Sequence, residues 1–159
     1  MHTIREQKTL PYSLDFLYSI IMDITSYPQF LPWCKSIKII STQNNEIVAD
    51  VIIEYKGFSA KYTSLITCSK NDQTKIIAIQ ATGSGPFKFL KSTWKLQEIK
   101  QDAMQCDKQC ATKISFNIEF QFNSILLEKF TAFLLFPAKG KIIQAFESRA
   151  KNLQDKDYS

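Results

Sequence analysis

Histidine is almost absent from this chain of 159 residues: His2 is the single one, and it stands beside a terminus. A serine or cysteine nucleophile activated by imidazole therefore has no partner to draw on. Arginine is nearly as scarce, with Arg5 and Arg149 alone among 20 basic residues, which argues against bidentate recognition of phosphate groups. Four glycines and five prolines are too few for a disordered or repetitive chain. No apolar run reaches the length of a membrane span; the richest, from Leu126 to Pro137, is short and interrupted by charge. The opening MHTIREQKTL holds no hydrophobic export segment, so the expected location is cytoplasmic. In that compartment the irregularly spaced Cys34, Cys68, Cys106 and Cys110 read as free thiols. Cys106 and Cys110 have neither a second ligand pair nor a nearby histidine, which argues against a structural zinc site.

What is abundant is apolar. The chain is 45% hydrophobic, enough for one substantial core and not two, so residues 1–153 read as a single domain and 154–159 as a polar tail. A formal charge of +5 favours anionic surfaces only weakly and serves solubility equally well. Between Ser124 and Leu153, the residues Leu126, Phe130, Leu134, Ala138, Ile142, Phe146 and Ala150 recur every four positions, with Leu127 and Phe133 widening the stripe. This periodicity predicts a long amphipathic helix, about 45 Å if unbroken. Ser124 caps its start, and Pro137 and Gly140 bend or weaken it.

Ahead of that helix, residues 2–10 form a short mixed strand with Ile4 and Leu10 as apolar points, ended by Pro11. Ser13 caps a helix from Leu14 to about Thr25, with Phe16, Leu17, Ile20, Ile21 and Ile24 on its apolar face. Pro28 and Pro32 enclose YPQFLPWC, an aromatic turn or short helix. Alternation then marks strands over Lys35–Ser41, Ile47–Tyr55, Phe58–Cys68, Lys75–Ala81, the stretch carrying Trp94 and Leu96, and Ile114–Phe122. Asn44-Asn45, Gly57, Asn71-Asp72 and Gly83-Ser84-Gly85-Pro86 supply the turns, and a polar loop covers Asp102 to Lys108. Connections this short leave no room for crossover helices, so an antiparallel meander is expected. Its one apolar face matches the stripe of the terminal helix, and the sheet must curl round that helix. The architecture is α+β.

Residues that carry chemistry are thinly spread. Asp50 and Glu54 share a strand face, but alternation turns that face to solvent, and Cys34 has no evident base. No catalytic residue and no catalytic cofactor are expected. Gly83-Ser84-Gly85-Pro86 is too short for a phosphate loop and lacks the following lysine-serine, so it reads as a plain turn or as the rim of a pocket. Twelve phenylalanines, six tyrosines and two tryptophans exceed the obvious needs of a small sheet–helix core. A strongly bent sheet round one helix can leave an apolar cavity. The candidate lining positions are Phe58, Tyr62, Phe87, Phe89, Leu90, Trp94, Phe116, Phe120, Phe130 and Leu134, each of which also reads as simple packing. Together they point to an elongated hydrophobic ligand with few polar anchors.

Three stretches carry a resemblance: YSLDFLYSIIMDITSYPQFLPWC near the start, GSGPFKFLKSTWKL in the middle, and FNIEFQFNSILLEKF followed by QAFESRAKNL near the end. In this order, over nearly the whole chain, they resemble the coenzyme Q-binding START-like family, whose bacterial relatives are known as ribosome-association toxins or cyclase/dehydrase-like proteins. The resemblance implies a helix-grip fold, an antiparallel sheet curled round a long C-terminal helix. It also implies binding and carriage of ubiquinone or a similar isoprenoid lipid, in support of respiration and quinone biosynthesis, without a reaction of its own. The matching positions are Tyr27, Pro28, Phe30, Leu31, Pro32 and Cys34; Gly85, Pro86, Phe87, Leu90 and Trp94; and Phe146, Arg149 and Ala150. Ser92-Thr93 departs from the pattern, since relatives often carry a bulkier or more polar pair before the tryptophan.

The same resemblance implies an alternative, a toxin-like translation inhibitor on the large ribosomal subunit. Against it, the lysines are scattered through strands and loops, and DNA is not an expected partner. On the lipid reading the cavity opens between the Gly83–Leu90 loop and the C-terminal helix, with YPQFLPWC close by and the quinone head near the opening. Phe87 and Leu90 would then touch the inner face of the cell membrane transiently, with Lys88 and Lys91 on anionic headgroups.

Overall fold

A computed structural model describes residues 1–55, 57–71, 73–83, 85–99, 111–129 and 140–157. Its strands are β1 (His2–Leu10), β2 (Cys34–Gln43), β3 (Glu46–Tyr55), β4 (Phe58–Lys70), β5 (Thr74–Thr82), β6 (Phe87–Ile99) and β7 (Ala111–Phe122). They form one seven-stranded sheet in the order β1-β7-β6-β5-β4-β3-β2, with every neighbouring pair antiparallel. The expected meander is there, from β2 to β7. The first strand returns to the far edge and pairs with β7 from His2↔Phe120 to Leu10↔Thr112. The sheet curves round the C-terminal helix in a helix-grip fold.

Helix α1 (Leu14–Met22) starts where its sequence says: Phe16 N donates to the Ser13 hydroxyl at 3.2 Å. It stops short of Thr25, because Asp23 leaves helical geometry at φ −82 and ψ 64. The chain then tightens into a 3-10 helix, Ile24–Gln29, that contains Pro28. Leu17, Ile20, Ile21 and Ile24 are buried from this segment.

The terminal helix is not one piece. Gly140 sits at φ 78, a left-handed conformation that no α-helix can run through, so the single helix expected over Ser124–Leu153 is corrected to separate segments. Helix α2 spans Ile125–Lys129 and α3 spans Ile142–Asp157, beyond the expected end at Leu153. Phe130, Phe133, Leu134, Pro137 and Ala138 lie outside the described residues, as do Cys106 and Cys110. Freed from α3, α2 takes its own rotation. Leu127 packs against Leu90, Phe120 and Phe122, while Leu126, assigned by its period to the buried stripe, is 65% exposed.

Helix α3 buries Ile142, Ile143, Phe146 and Ala150 against the sheet. Its first N–H groups have no partner within the helix and find one across the fold: Ile142 N and Ile143 N donate to the Glu6 carboxylate on β1 at 3.2 and 3.0 Å. A carboxylate at that end also meets the positive pole of the helix. The orientation of α3 is thus tied to the edge strand as well as to the core.

Candidate functional site

Strand alternation builds the site. The inward set of β3 and β4 (Ala49, Val51, Ile53, Phe58, Tyr62, Ser64, Ile66) faces that of β6 and β7 across the curl of the sheet, and Ile142 and Phe146 of α3 close over it. Between them remains a cavity of about 240 Å³. The 3-10 helix and the turn after it add Ile24, Tyr27, Leu31, Trp33 and Cys34 to the wall.

Two aromatic groups shape its ends. Phe146 stands edge-on to Tyr27, Phe30 and Trp94, with ring centroids 5.3, 5.1 and 4.8 Å apart, and Trp94 lies 4.4 Å from Phe116. The Arg149 guanidinium lies over Phe30 at 5.4 Å, a cation–π contact. Residues of the three sequence motifs, far apart in the chain, therefore meet here. At the other end Phe87 stands edge-on to Tyr62 at 5.1 Å and stacks on Phe122 at 5.1 Å. The loop before Phe87 presses on the sheet so closely that a Cβ at Gly85 would come within 3.3 Å of the Tyr62 Cβ.

Of the expected lining positions, Phe58, Tyr62, Phe87, Leu90, Trp94, Phe116 and Phe120 border the cavity. Phe130 and Leu134 are outside the described residues. Phe89 is a correction: it is 38% exposed and points away. The cause is a bulge in β6. Phe87 pairs with Phe122 but Phe89 pairs with Gln121 and Leu90 with Phe120, so Lys88 is an extra residue in the ladder. Strict alternation cannot turn both Phe87 and Leu90 inward; the bulge does. The same geometry corrects the expected membrane contacts, because Leu90 is 7% exposed and Phe87 is held in the aromatic stack. Lys88, Phe89 and Lys91 are the exposed residues of that stretch. A choice of candidates by aromatic side chain passed over Ala49, Val51, Ser64 and Ser92, all on the wall. Their strand parity was the signal that could have found them.

The titratable groups are engaged or silenced. Burial pushes the Cys34 thiol up to about 11, so at neutral pH it stays protonated and is a poor nucleophile. Asp50 accepts from the Thr63 hydroxyl at 2.8 Å and lies 3.5 Å from the Lys61 ammonium, and Glu54 pairs with Lys35 at 2.9 Å. His2 Nε2 is 2.6 Å from the Glu128 carboxylate. Burial, above all, raises the phenols of Tyr27 and Tyr62 well past the ordinary range. Tyr27 donates to the Ile21 carbonyl. The site is built to hold apolar matter.

Residues 10–147 match the model of a family described as polyketide cyclase/dehydrase and lipid transport. The chain belongs to this family. Among its relatives, a ribosome association toxin, RatA, of Rickettsia prowazekii is 36% identical over 153 residues, covering 96% of this chain and 99% of that protein. The mitochondrial coenzyme Q-binding protein coq10 of Schizosaccharomyces pombe is 25% identical, covering 92% and 85%. The crystal structure of the Zhui aromatase/cyclase from a Streptomyces species superimposes with a TM-score of 0.73 at 12% identity, over 94% of this chain and 93% of that one, a likeness of fold alone. The fold thus carries an aromatase/cyclase as well as proteins named for binding, so the fold does not choose between these roles and the wall of the cavity has to. Among the described residues, no helix is long and apolar enough to cross a membrane.

Proposed function

We propose that this member of the polyketide cyclase and lipid transport family binds ubiquinone or a similar isoprenoid lipid and carries it without transforming it, in support of respiration and quinone biosynthesis. The observation that supports this is the cavity: about 240 Å³, walled almost wholly by aliphatic and aromatic side chains. An isoprenoid chain is costly in water at roughly 0.8 kcal/mol per CH₂, so such a wall retains it without strong polar bonds. The coq10 relative, named as coenzyme Q-binding, agrees with this choice of ligand. The volume falls just below the roughly 300–1,000 Å³ of clefts that bury drug-sized ligands, so a long tail is held only in part. Delivery takes place at the inner face of the cell membrane, where exposed Phe89 meets the bilayer and Lys88 and Lys91 meet anionic headgroups.

Organic extract of the protein, purified from a quinone-producing cell, is expected to contain quinone by mass spectrometry. Protein that carries no lipid and takes up no quinone from vesicles would end this reading.

The RatA relative, matched over nearly its full length, favours a second reading, ribosome association as a translation inhibitor. Sedimentation with ribosomal subunits at about 50 and 200 mM salt separates the two. On the carrier reading the protein stays in the supernatant at both. Pelleting with the large subunit at low salt, lost at the higher, would mark an electrostatic contact with RNA and favour the second.

A further inference from the structure

Three hydroxyls on the cavity wall have no hydrogen-bond partner among the described residues: Tyr62 and Ser64 on β4, and Ser92 on β6. Ser64 is 2% and Ser92 5% exposed. This is not how the fold treats its other buried hydroxyls. Thr112 donates to the Tyr12 carbonyl at 2.8 Å, and Tyr27 to that of Ile21. A buried hydroxyl left unpaired bears its full desolvation penalty, so Ser64 and Ser92, with half-buried Tyr62 on the same wall, call for a partner inside the cavity.

Their placement narrows that partner. Tyr62 and Ser64 are two residues apart on one strand and share its inner face. Ser64 lies opposite Ala81, and Ser92 lies opposite Ile79, itself opposite Ile66, so all three sit on the same face. Tyr62 and Ser64 are about 7 Å apart along β4, whereas Ser92 lies about 10 Å across the strands and about 14 Å further along than Tyr62. Each offers an O–H, and burial keeps the Tyr62 phenol protonated. Such donors suit acceptor oxygens, carbonyl or ether, on a compact ring. The surrounding wall, Phe87 and Val51 included, suits the ring itself. An isoprenoid tail offers these hydroxyls nothing.

We propose that the ligand enters head first: an oxygen-bearing ring of the 1,4-quinone class accepts hydrogen bonds from Tyr62 and Ser64, with Ser92 further along the same wall, and its tail leads outward. The assignment rests on the lipid-carrier reading and reverses the expectation of a head held at the opening. It also agrees with a volume that cannot enclose a long tail.

The test uses the full chain and two probes, ubiquinone with a single isoprene unit and an isoprenoid hydrocarbon of matched length without a head, titrated by fluorescence of Trp33 and Trp94 on the wall. Tyr62→Phe and Ser64→Ala are each expected to weaken quinone binding about three- to tenfold and to leave hydrocarbon binding unchanged. Thermal stability of Ser64→Ala should hold or rise, since an unpaired hydroxyl is removed. The infrared carbonyl band of bound quinone, lowered in the native complex, should return towards its free position in Tyr62→Phe. Native-like quinone affinity in both variants, with the band unmoved, would overturn the assignment. So would native protein that binds the hydrocarbon but not the quinone, although the lipid cavity would stand. Native protein that binds neither probe ends the carrier reading itself, and this assignment with it.

Discussion

Replacing Phe146 with alanine is expected to lower the unfolding free energy by about 3 to 5 kcal/mol, the usual loss for a large aromatic removed from a packed core. The ring is 3% exposed and stands edge-on to Tyr27, Phe30 and Trp94 at once, so its loss leaves space bordered by elements from both ends of the chain. Those three neighbours belong to the 3-10 helix, the residue that follows it and β6, which cannot close on the gap without moving α3. The helix is pinned in turn by the Glu6 carboxylate and, at the surface, by the Lys8–Glu147 pair at 2.8 Å. Little relaxation is therefore open to it, and the cost should sit at the upper end of the range. Urea unfolding of the variant measures it. A loss below about 1 kcal/mol would mean that the ring does not hold α3 to the sheet.

Val51→Phe should have the largest effect on ligand content, with little on the fold. Val51 is 8% exposed, borders the cavity and lies opposite Tyr62 across the β3–β4 ladder. A phenyl ring there projects into empty space beside the proposed head-binding hydroxyls. Because it fills volume that is already unoccupied, it should escape most of the roughly 1 to 3 kcal/mol that overpacking costs in a tight core. Quinone recovered with the variant is expected to fall at least tenfold, while its unfolding midpoint stays close to that of the native protein. Undiminished loading would place the ligand elsewhere than this cavity. A collapse in stability would show instead that the cavity closes in solution, and that Val51 is packed against its neighbours.

How much of this could be read from residue order differs from element to element. In β4 and β7 the alternation that marked strands over Phe58–Cys68 and Ile114–Phe122 is the one the structure carries, with Tyr62, Ser64 and Ile66 on one strand and Phe116, Ile118 and Phe120 on the other turned to the cavity. Side-chain direction in a strand follows from local backbone geometry, so neighbours in sequence carry the information. The cap at Ser13 and the two-residue turn at Asn44-Asn45, where Asn44 takes φ 54, were legible for the same reason. Phe89 was not. Its outward turn depends on the extra residue Lys88 in a ladder with β7, and a bulge exists only relative to a partner strand. The break at Gly140 was half visible. A glycine permits the left-handed turn, but only the packing of α3 against β1 and the sheet commits the chain to it.

The sequence by itself determined the meander, the sidedness of its strands and the apolar face of α3, because each is a period of two or about 3.6 set by local stereochemistry. Only the tertiary structure decided the cap on α3, which Glu6 supplies from 136 positions away. It alone decided that Ser64 and Ser92 would be buried with no hydrogen-bond partner among the described residues, since a hydroxyl's environment belongs to whatever folds over it. And it alone decided the cavity. An empty volume is what remains after every element has packed, and no local period in the chain encodes it.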